Sequence, residues 1–394
     1  MSAGLTDNKH CPILQWGGAS LKRALILAAL CLLLPAAAAS AAETSARAMI
    51  LYAPDTGTVL EEVNADEPLP IASITKIMTA LVVLEHCDPA EPVTAERQHT
   101  LVEGSAMYLT VGETYTVEEL LYGLMLPSGN DAALCLAEHT AGSVEAFADL
   151  MNAKCAALGL ENSHFVNPHG LTEEGHYSSA RDMAILTAEA MKNGLFCEIF
   201  GARKATVHGH LFFNHNKLLD YCPDCTGGKT GYTNAAGRTL VSCGERDGLR
   251  LICVTLADPN DWNDHLALYN EAFSAWTYLP LTGQYWSEVA LASGTAETLA
   301  VGCGVPGLLL PKTGEITRTV ELPRFVFAPV RAGAVLGRIT VSVDGTAVAR
   351  LPITAQETVL TDVRIPLRPW ERLCALIGLY RGRTINNSFE RSGL

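Results

Sequence analysis

Outside its N-terminus the chain has no uncharged apolar run long enough to cross a membrane as a helix, which argues against further helical spans. Charge is sparse, at 18% of residues, and the basic share is the smaller one: 28 Lys and Arg against 42 Asp and Glu, a formal net charge of −14. Nucleic-acid binding rests on Lys and Arg at phosphates, so no nucleic-acid partner is expected. Metal-ligand spacing is also lacking. Cys222-Pro223-Asp224-Cys225 is a C-x-x-C without a second one, and a structural zinc site needs about four ligands, so the pair reads as free thiols or one local disulfide. His208 and His210 share a strand face but have no third ligand, and His169 and His215 stand apart from them. No metal and no cofactor are expected. The 12 cysteines are not required as staples, because 394 residues that are 48% hydrophobic can bury a large core and fill two domains.

At the N-terminus, Lys22-Arg23, the apolar stretch from Ala24 to Leu34, Pro35 and a run of small residues through Ala42 have the three parts of a secretory signal peptide. Cleavage after Ala41 places Ala39 and Ala41 at the small positions and makes 1–41 the leader; an uncleaved anchor is the alternative. Cys31 is no lipoprotein site, since Leu30 precedes it. The protein is therefore expected outside the cytoplasmic membrane.

The stretch that organises the rest is Pro70-Ile71-Ala72-Ser73-Ile74-Thr75-Lys76, followed by the apolar run Ile77 to Leu84. It reads as the opening of a buried helix, with a proline upstream where a helix has not yet begun. Residues three apart share a helical face, so the Ser73 hydroxyl and the Lys76 amine project together. Serine is a weak nucleophile without a base, and a lysine in an apolar setting loses its proton readily enough to be one. The helix N-terminus adds a positive potential where negative charge develops. On its own the pattern equally describes a capping serine with a solvated lysine. Two further motifs follow in order: Ser128-Gly129-Asn130 within Leu126 to Asp131, and Lys229-Thr230-Gly231 within Gly227 to Thr233.

S-x-x-K, S-x-N and K-T-G in this order resemble the signature of the penicillin-binding proteins and class A β-lactamases. Phe165-Val166-Asn167-Pro168-His169-Gly170-Leu171, His176 to Ala184 and Asn216-Lys217-Leu218-Leu219 narrow the resemblance to the serine D-alanyl-D-alanine carboxypeptidases, peptidase family S11, from about Ala46 to Trp276. The resemblance implies a mixed α/β (α+β) fold, a transpeptidase-like domain over 44–280 in which a helical cluster flanks an antiparallel sheet. It implies that Ser73 forms an acyl-enzyme with a peptidoglycan stem peptide ending in D-Ala-D-Ala, and likewise with β-lactams. Lys76 would take the serine proton, Ser128 relay it to the leaving amine, and Asn130 hold the substrate amide and the lysine. Lys229 and Thr230 would bind the terminal carboxylate, and Gly231 admit the substrate strand. The backbone N–H groups of Ser73 and Tyr232 would meet the oxyanion. Tyr232 departs from the histidine that many relatives carry there, which bears on pH optimum or substrate preference. Three other readings compete: a serine β-lactamase, although no E-x-x-L-N stretch lies between the second and third motifs; a DD-endopeptidase using the same residues; and an inactive wall-binding or morphogenesis protein.

Taken in order, Ala48 to Ala53 and Thr58 to Val63 alternate as strands around the turn Pro54 to Gly57. Thr116-Val117-Glu118-Glu119 is a capping box opening a helix that ends near Met125. Further helices are expected from Asp131 to Thr140, Ser143 to Gly159, Ser179 to Gly194 and Asp264 to Tyr278. Lys229 to Cys243 and Leu249 to Ala257 read as strands joined by Glu245 to Gly248. Lys312-Thr313-Gly314 repeats the third tripeptide, but in a turn between strands, and is assigned no role. From about Tyr285 short β-rich runs predict a small β-sandwich over 285–363, with a hairpin at Asp344-Gly345. The tail, 366–394, puts Trp370, Leu373, Ile377 and Tyr380 on one helical face flanked by arginines. Such an amphipathic helix is expected to lie in a membrane surface, the alternative being packing on its own domain.

Overall fold

The computed structural model describes residues 44–281, 287–305 and 307–361, and the backbone of 383–387. The expected leader and the amphipathic stretch Trp370 to Tyr380 lie outside the described residues. Two compact units are present, one reaching into the 280s and also holding Val305–Thr313, the other holding the remaining C-terminal strands.

The first unit is built on a five-stranded antiparallel sheet. Its strands are β1 (Ala48–Ala53), β2 (Thr58–Val63), β3 (Cys225–Thr233), β4 (Gly237–Arg246) and β5 (Leu249–Leu256), in the order β2-β1-β5-β4-β3. The order brings the N-terminal strand into the middle of a sheet whose other centre is C-terminal, as the resemblance implies. Both faces are covered, so successive residues of β1 serve two cores. Ala48 and Ile50 join the large helical core, while Met49, Leu51 and Ala53 pack with Leu268, Tyr269 and Phe273 of the helix Asp261–Ala275. A strand without a solvent face reads as a continuous apolar run, and Ala48-Met49-Ile50-Leu51-Tyr52-Ala53 does.

The helices on the inner face are α1 (Lys76–His86), α2 (Val117–Met125), α3 (Asn130–Ala141), α4 (Val144–Leu158), α5 (Ala180–Ala190) and α6 (Gly194–Gly201). Helix α1 is buried on all sides from Lys76 to Val83, which places it at the centre of the cluster. Each of its large apolar side chains contributes about 1.5–3 kcal/mol by burial. Local signals set the helix ends. The Thr116–Glu119 capping box is closed on both sides, Ser143 and Ser179 cap α4 and α5 with their hydroxyls, and Gly142 and Gly159 end α3 and α4 in the left-handed region.

Four expectations are corrected. The helix from Ser179 stops at Ala190, and Asn193 caps a separate helix, α6, because Gly194 starts an element where it was expected to end one. Lys229 to Cys243 is two strands, turned at Asn234-Ala235-Ala236 between Thr233 and Gly237. The last helix begins at Asp261, three residues early, and yields at Trp276 to a strand, Trp276–Pro280. That strand pairs with Gly307–Pro311, where the run Leu308-Leu309-Leu310 finds its partner. Finally, Ser73 lies in a 3-10 turn, Ala72–Thr75, and the α-helix proper starts at Lys76.

The second unit is β-rich, with one antiparallel run of strands around the hairpin Val335–Val343 and Thr346–Ala355 and the turn Asp344-Gly345 expected there. Ile339, Val341, Leu351 and Ile353 are buried and form its core. Residues Arg383–Asn387 add an antiparallel strand to its sheet. Lys312-Thr313-Gly314 occupies the turn between Gly307–Pro311 and Ile316–Leu322.

Candidate active site

The 3-10 turn that carries Ser73 is under local strain: Ala72 stands at φ +51°, a region that costs a residue with a β-carbon on the order of 1 kcal/mol or more. Three neighbours hold it. The Thr239 hydroxyl on β4 donates to Ile71 O at 2.9 Å. Gly231 on β3 packs so closely that a β-carbon there would sit 2.8 Å from Ser73 N. Gly170, at φ +86°, approaches Ala72 O where a β-carbon would be 1.9 Å away. These contacts give physical meaning to two glycines, in Lys229-Thr230-Gly231 and in Asn167-Pro168-His169-Gly170.

Lys76 is buried with Nζ at the centre of three oxygens: Ser73 Oγ at 2.9 Å, Asn130 Oδ1 at 2.8 Å and the His169 carbonyl at 2.8 Å. Two of these partners only accept. A neutral amine therefore spends its two N–H groups on Asn130 and His169, and its lone pair is left facing the one partner that can donate, the Ser73 hydroxyl. The charge balance favours that neutral form. Burial, and then the nearby Lys229, press the Lys76 pKa well below its usual value against the opposing pull of Asp131. Lys229 is buried too, and desolvation brings it down to about 7; its Nζ donates to Thr230 O at 2.9 Å.

Asn130 is fixed from both sides. Its Nδ2 donates to Glu103 O at 2.7 Å and its backbone N–H to Ser105 O at 2.7 Å. Asp131 beside it accepts from Met107 N at 2.9 Å and Leu109 N at 3.1 Å, so the start of α3 anchors the whole 103–109 loop. Ser128 stands at φ +63° with its Oγ buried and without a hydrogen-bond partner. A buried hydroxyl left unpaired costs about 1–3 kcal/mol, the signature of a group held for a ligand.

Ser73, Ser128, Thr230, Gly231 and Tyr232 line one cleft of about 590 Å³, joined by Ser105, Asn214, His215 and Trp262. Lys76 and Asn130 lie behind its wall, and Lys229 is buried beneath β3. The backbone thus brings all eight expected residues to one place, five at the surface of the cleft and three under it. Tyr232 is 66% exposed, its ring pointing to solvent. Arg238 stacks over Trp262 at 5.3 Å and pairs with Asp261 at 2.7 Å on the far rim. A larger groove, about 720 Å³, lies on the β-rich unit between Glu321 and Pro352, but it contains no nucleophile.

Sequence reasoning passed over several members of the site. The His169 carbonyl is a backbone group and invisible to any motif. Thr75 Oγ1 and His176 Nε2 are 2.8 Å apart, and because His176 Nδ1 accepts from Val166 N, its Nε2–H donates to Thr75. This ties the nucleophile turn to the segment that carries His169 and Gly170. Burial takes His176 down to about 4 and His169 to about 3, so both rings are neutral and neither suits a cationic role.

A family profile described as D-alanyl-D-alanine carboxypeptidase, peptidase S11, matches residues 35–260. The chain belongs to this family. Within it, the D-alanyl-D-alanine carboxypeptidase DacF of Bacillus subtilis is 34% identical over 331 residues, covering 79% of this chain and 85% of its own length. DacC of Escherichia coli is 34% identical over 376 residues, covering 86% and 92%. Among solved structures, penicillin-binding protein 5 of Haemophilus influenzae superposes with a TM-score of 0.70 at 28% identity, over 82% of this chain and 99% of that one. The S11 fold is therefore present in its α+β form with a C-terminal β-rich domain, and the chain is a serine-type hydrolase of the penicillin-binding class.

Proposed function

We propose that the protein is a serine D-Ala-D-Ala carboxypeptidase that removes the terminal D-alanine from peptidoglycan stem peptides. The observation that carries this reading is the three-oxygen setting of Lys76 Nζ, which aims a lone pair at Ser73 Oγ.

Ser73 Oγ attacks the carbonyl carbon of the D-Ala-D-Ala bond while its proton passes to Lys76 Nζ. The carbonyl oxygen gathers negative charge facing the N–H groups of Ser73 and Tyr232; loss of one such donor typically costs on the order of 3–4 kcal/mol. The C–N bond then breaks as the lysine proton, relayed by Ser128 Oγ, reaches the departing amine. This gives the unpaired Ser128 hydroxyl a task. Water attacks the acyl ester by the reverse relay, releasing the shortened peptide and restoring Ser73. Thr230 and the Lys229 ammonium behind it hold the terminal carboxylate, and Asn130 orients the peptide amide. A β-lactam enters the same path, its ring amide opening to an ester on Ser73. The leader 1–41 would export the chain, the unit from 44 to about 280 would work in the wall space, the β-rich domain would support it, and the tail after 366 would hold it at the membrane surface.

The test is incubation of the full mature chain with a labelled penicillin, alongside Ser73→Ala, following intact mass over time, together with release of D-alanine from a pentapeptide. A long-lived adduct absent from Ser73→Ala, with D-alanine released, is the expected result. Rapid turnover of the drug would make the protein a β-lactamase, cleavage of cross-linked dimers in place of the pentapeptide an endopeptidase, and no adduct in either form a binding module.

A further inference from the structure

At the other end of α1 from Lys76, three potential ligand atoms of different chemistry converge. Cys87 is the C-terminal cap of α1, Glu91 follows in the next turn, and His139 stands in the last turn of α3. One atom from each, Sγ, a carboxylate oxygen and a ring nitrogen, lies within 4.8 Å of the other two. Glu91 is aimed by its own loop. One carboxylate oxygen accepts from Asp88 N at 2.9 Å, and the other is left facing His139 Nε2 at 3.0 Å. Cys87 Sγ lies 3.4 Å from Thr140 Oγ1, a hydroxyl that itself donates to Leu136 O.

Two helices end at this point, so the negative ends of two helix dipoles meet the Glu91 carboxylate in a chain that is already acidic. The electrostatics favour a cation, yet the basic group supplied is a histidine and not a lysine or arginine. Sulfur, nitrogen and oxygen donors together match zinc. Tetrahedral zinc spaces such ligands by about 3.3–3.6 Å, so the widest pair has to close by roughly 1 Å, within reach of side-chain rotation.

We propose that Cys87, Glu91 and His139 bind a zinc-type divalent cation, with water in the fourth position, and so clamp the ends of α1 and α3. On binding, the Cys87 thiol loses its proton to solvent, His139 gives up the Nε2 hydrogen that faces Glu91 and keeps its hydrogen on Nδ1, and the thiolate, the freed Nε2 and the Glu91 carboxylate each donate a pair to the metal; no redox step is involved. The site is about 16 Å along α1 from Lys76, so it stabilises the helical cluster that carries the nucleophile and takes no part in its chemistry. Motif reasoning missed it because His139 is far from Cys87 in sequence and the near pair, Cys87 and Glu91, is not a Cys/His pair.

The full chain, stripped with a chelator, is titrated with Zn(II) alone by calorimetry and with Co(II) alone by absorption, in which a thiolate ligand produces an intense near-ultraviolet band. One equivalent bound at micromolar or tighter affinity, a thiolate–cobalt band and a raised unfolding midpoint are expected. Cys87→Ser and His139→Gln should each weaken binding by more than about 10-fold, since loss of an outer partner alone costs that much. Cys225→Ser, in a distant pair, should not weaken binding, and penicillin acylation should be unchanged in all three. Should Cys87→Ser fail to fold, His139→Gln at the surface decides. The absence of saturable binding, or a cobalt spectrum and affinity that neither variant alters, overturns the proposal and leaves Glu91 and His139 as a surface hydrogen-bonded pair.

Discussion

Gly170→Ala is the sharpest probe of how the nucleophile is held. The added β-carbon would sit 1.9 Å from Ala72 O and 2.8 Å from Thr75 Oγ1, on a backbone at φ +86°. Left-handed geometry costs an L-residue about 1–2 kcal/mol, and intrusion into a packed site about 1–3 kcal/mol more. The expected destabilisation is about 2–5 kcal/mol, and at about 2–4 °C for each kcal/mol in a domain of this size it lowers the unfolding midpoint by on the order of 4–20 °C. The catalytic effect should be separable from this. Ala72 directly precedes Ser73, and His169, beside Gly170, supplies a carbonyl to Lys76 at 2.8 Å, so relief of the clash moves both nucleophile and base. A displacement near 1 Å costs about 100-fold in rate. Gly175→Ala is the control: φ there is +83°, but the nearest atoms to an added β-carbon are side-chain atoms of His164 and Val166 at 3.7 Å, so only the backbone strain applies. Both variants are to be compared by thermal unfolding and by the second-order rate of acylation with a fluorescent penicillin. If Gly170→Ala acylates at the wild-type rate, or behaves as Gly175→Ala does, the close approach of the 167–170 segment does not position Ser73.

Asn130→Ala deletes the Oδ1 acceptor of Lys76 and the Nδ2 link to Glu103 O; at about 1.5–3 kcal/mol for a hydrogen bond to a chargeable group, penicillin acylation should slow roughly 10- to 150-fold, and an unchanged rate would refute the assigned support. The domain should also be acid-labile. His176 and His265 are buried, with desolvation as the main cause of pKa values of about 4 and about 3, below an unfolded value near 6.5. The unfolded chain then binds more protons below pH 6.5, so their neutral burial is harmless above that pH. As pH falls from 6.5 towards 4, stability declines by about 1.4 kcal/mol per unit for each histidine. His208 runs the other way: its hydrogen bond to Glu113 raises its pKa, a contribution present below 6.5 and lost as pH rises through the raised value, but the group is solvent-screened and the buried pair outweighs it. Denaturant midpoints between pH 7 and pH 4 test the sign, and a midpoint that rises on acidification would contradict it.

Local chemistry was legible wherever it was written in a few adjacent residues. The hairpin Ala48 to Val63, the Thr116 capping box, the glycines after α3 and α4 and the three motifs could all be read directly, because caps and turns are decided within about four residues. Misplaced boundaries had either a tertiary cause or a local signal masked by its neighbours. Trp276 leaves its helix since a strand partner, Pro311, is available to it, and the turn at Asn234-Ala235-Ala236 is hidden among β-prone neighbours.

By itself, then, the sequence determined which side chains are available and their spacing: a serine three residues before a lysine, an asparagine after a proline-flanked loop, a lysine-threonine-glycine strand, and a composition that fills a large acidic domain. Tertiary structure alone decided that Lys76 is surrounded by three oxygens and so faces Ser73 with a lone pair, that Lys229 is buried beneath its strand, and that ligand atoms of Cys87 and His139 come within 4.8 Å of each other. The reason is physical: a pKa or a ligand set depends on burial and on atoms brought within about 3–5 Å from distant parts of the chain, including backbone carbonyls, and no local pattern encodes these.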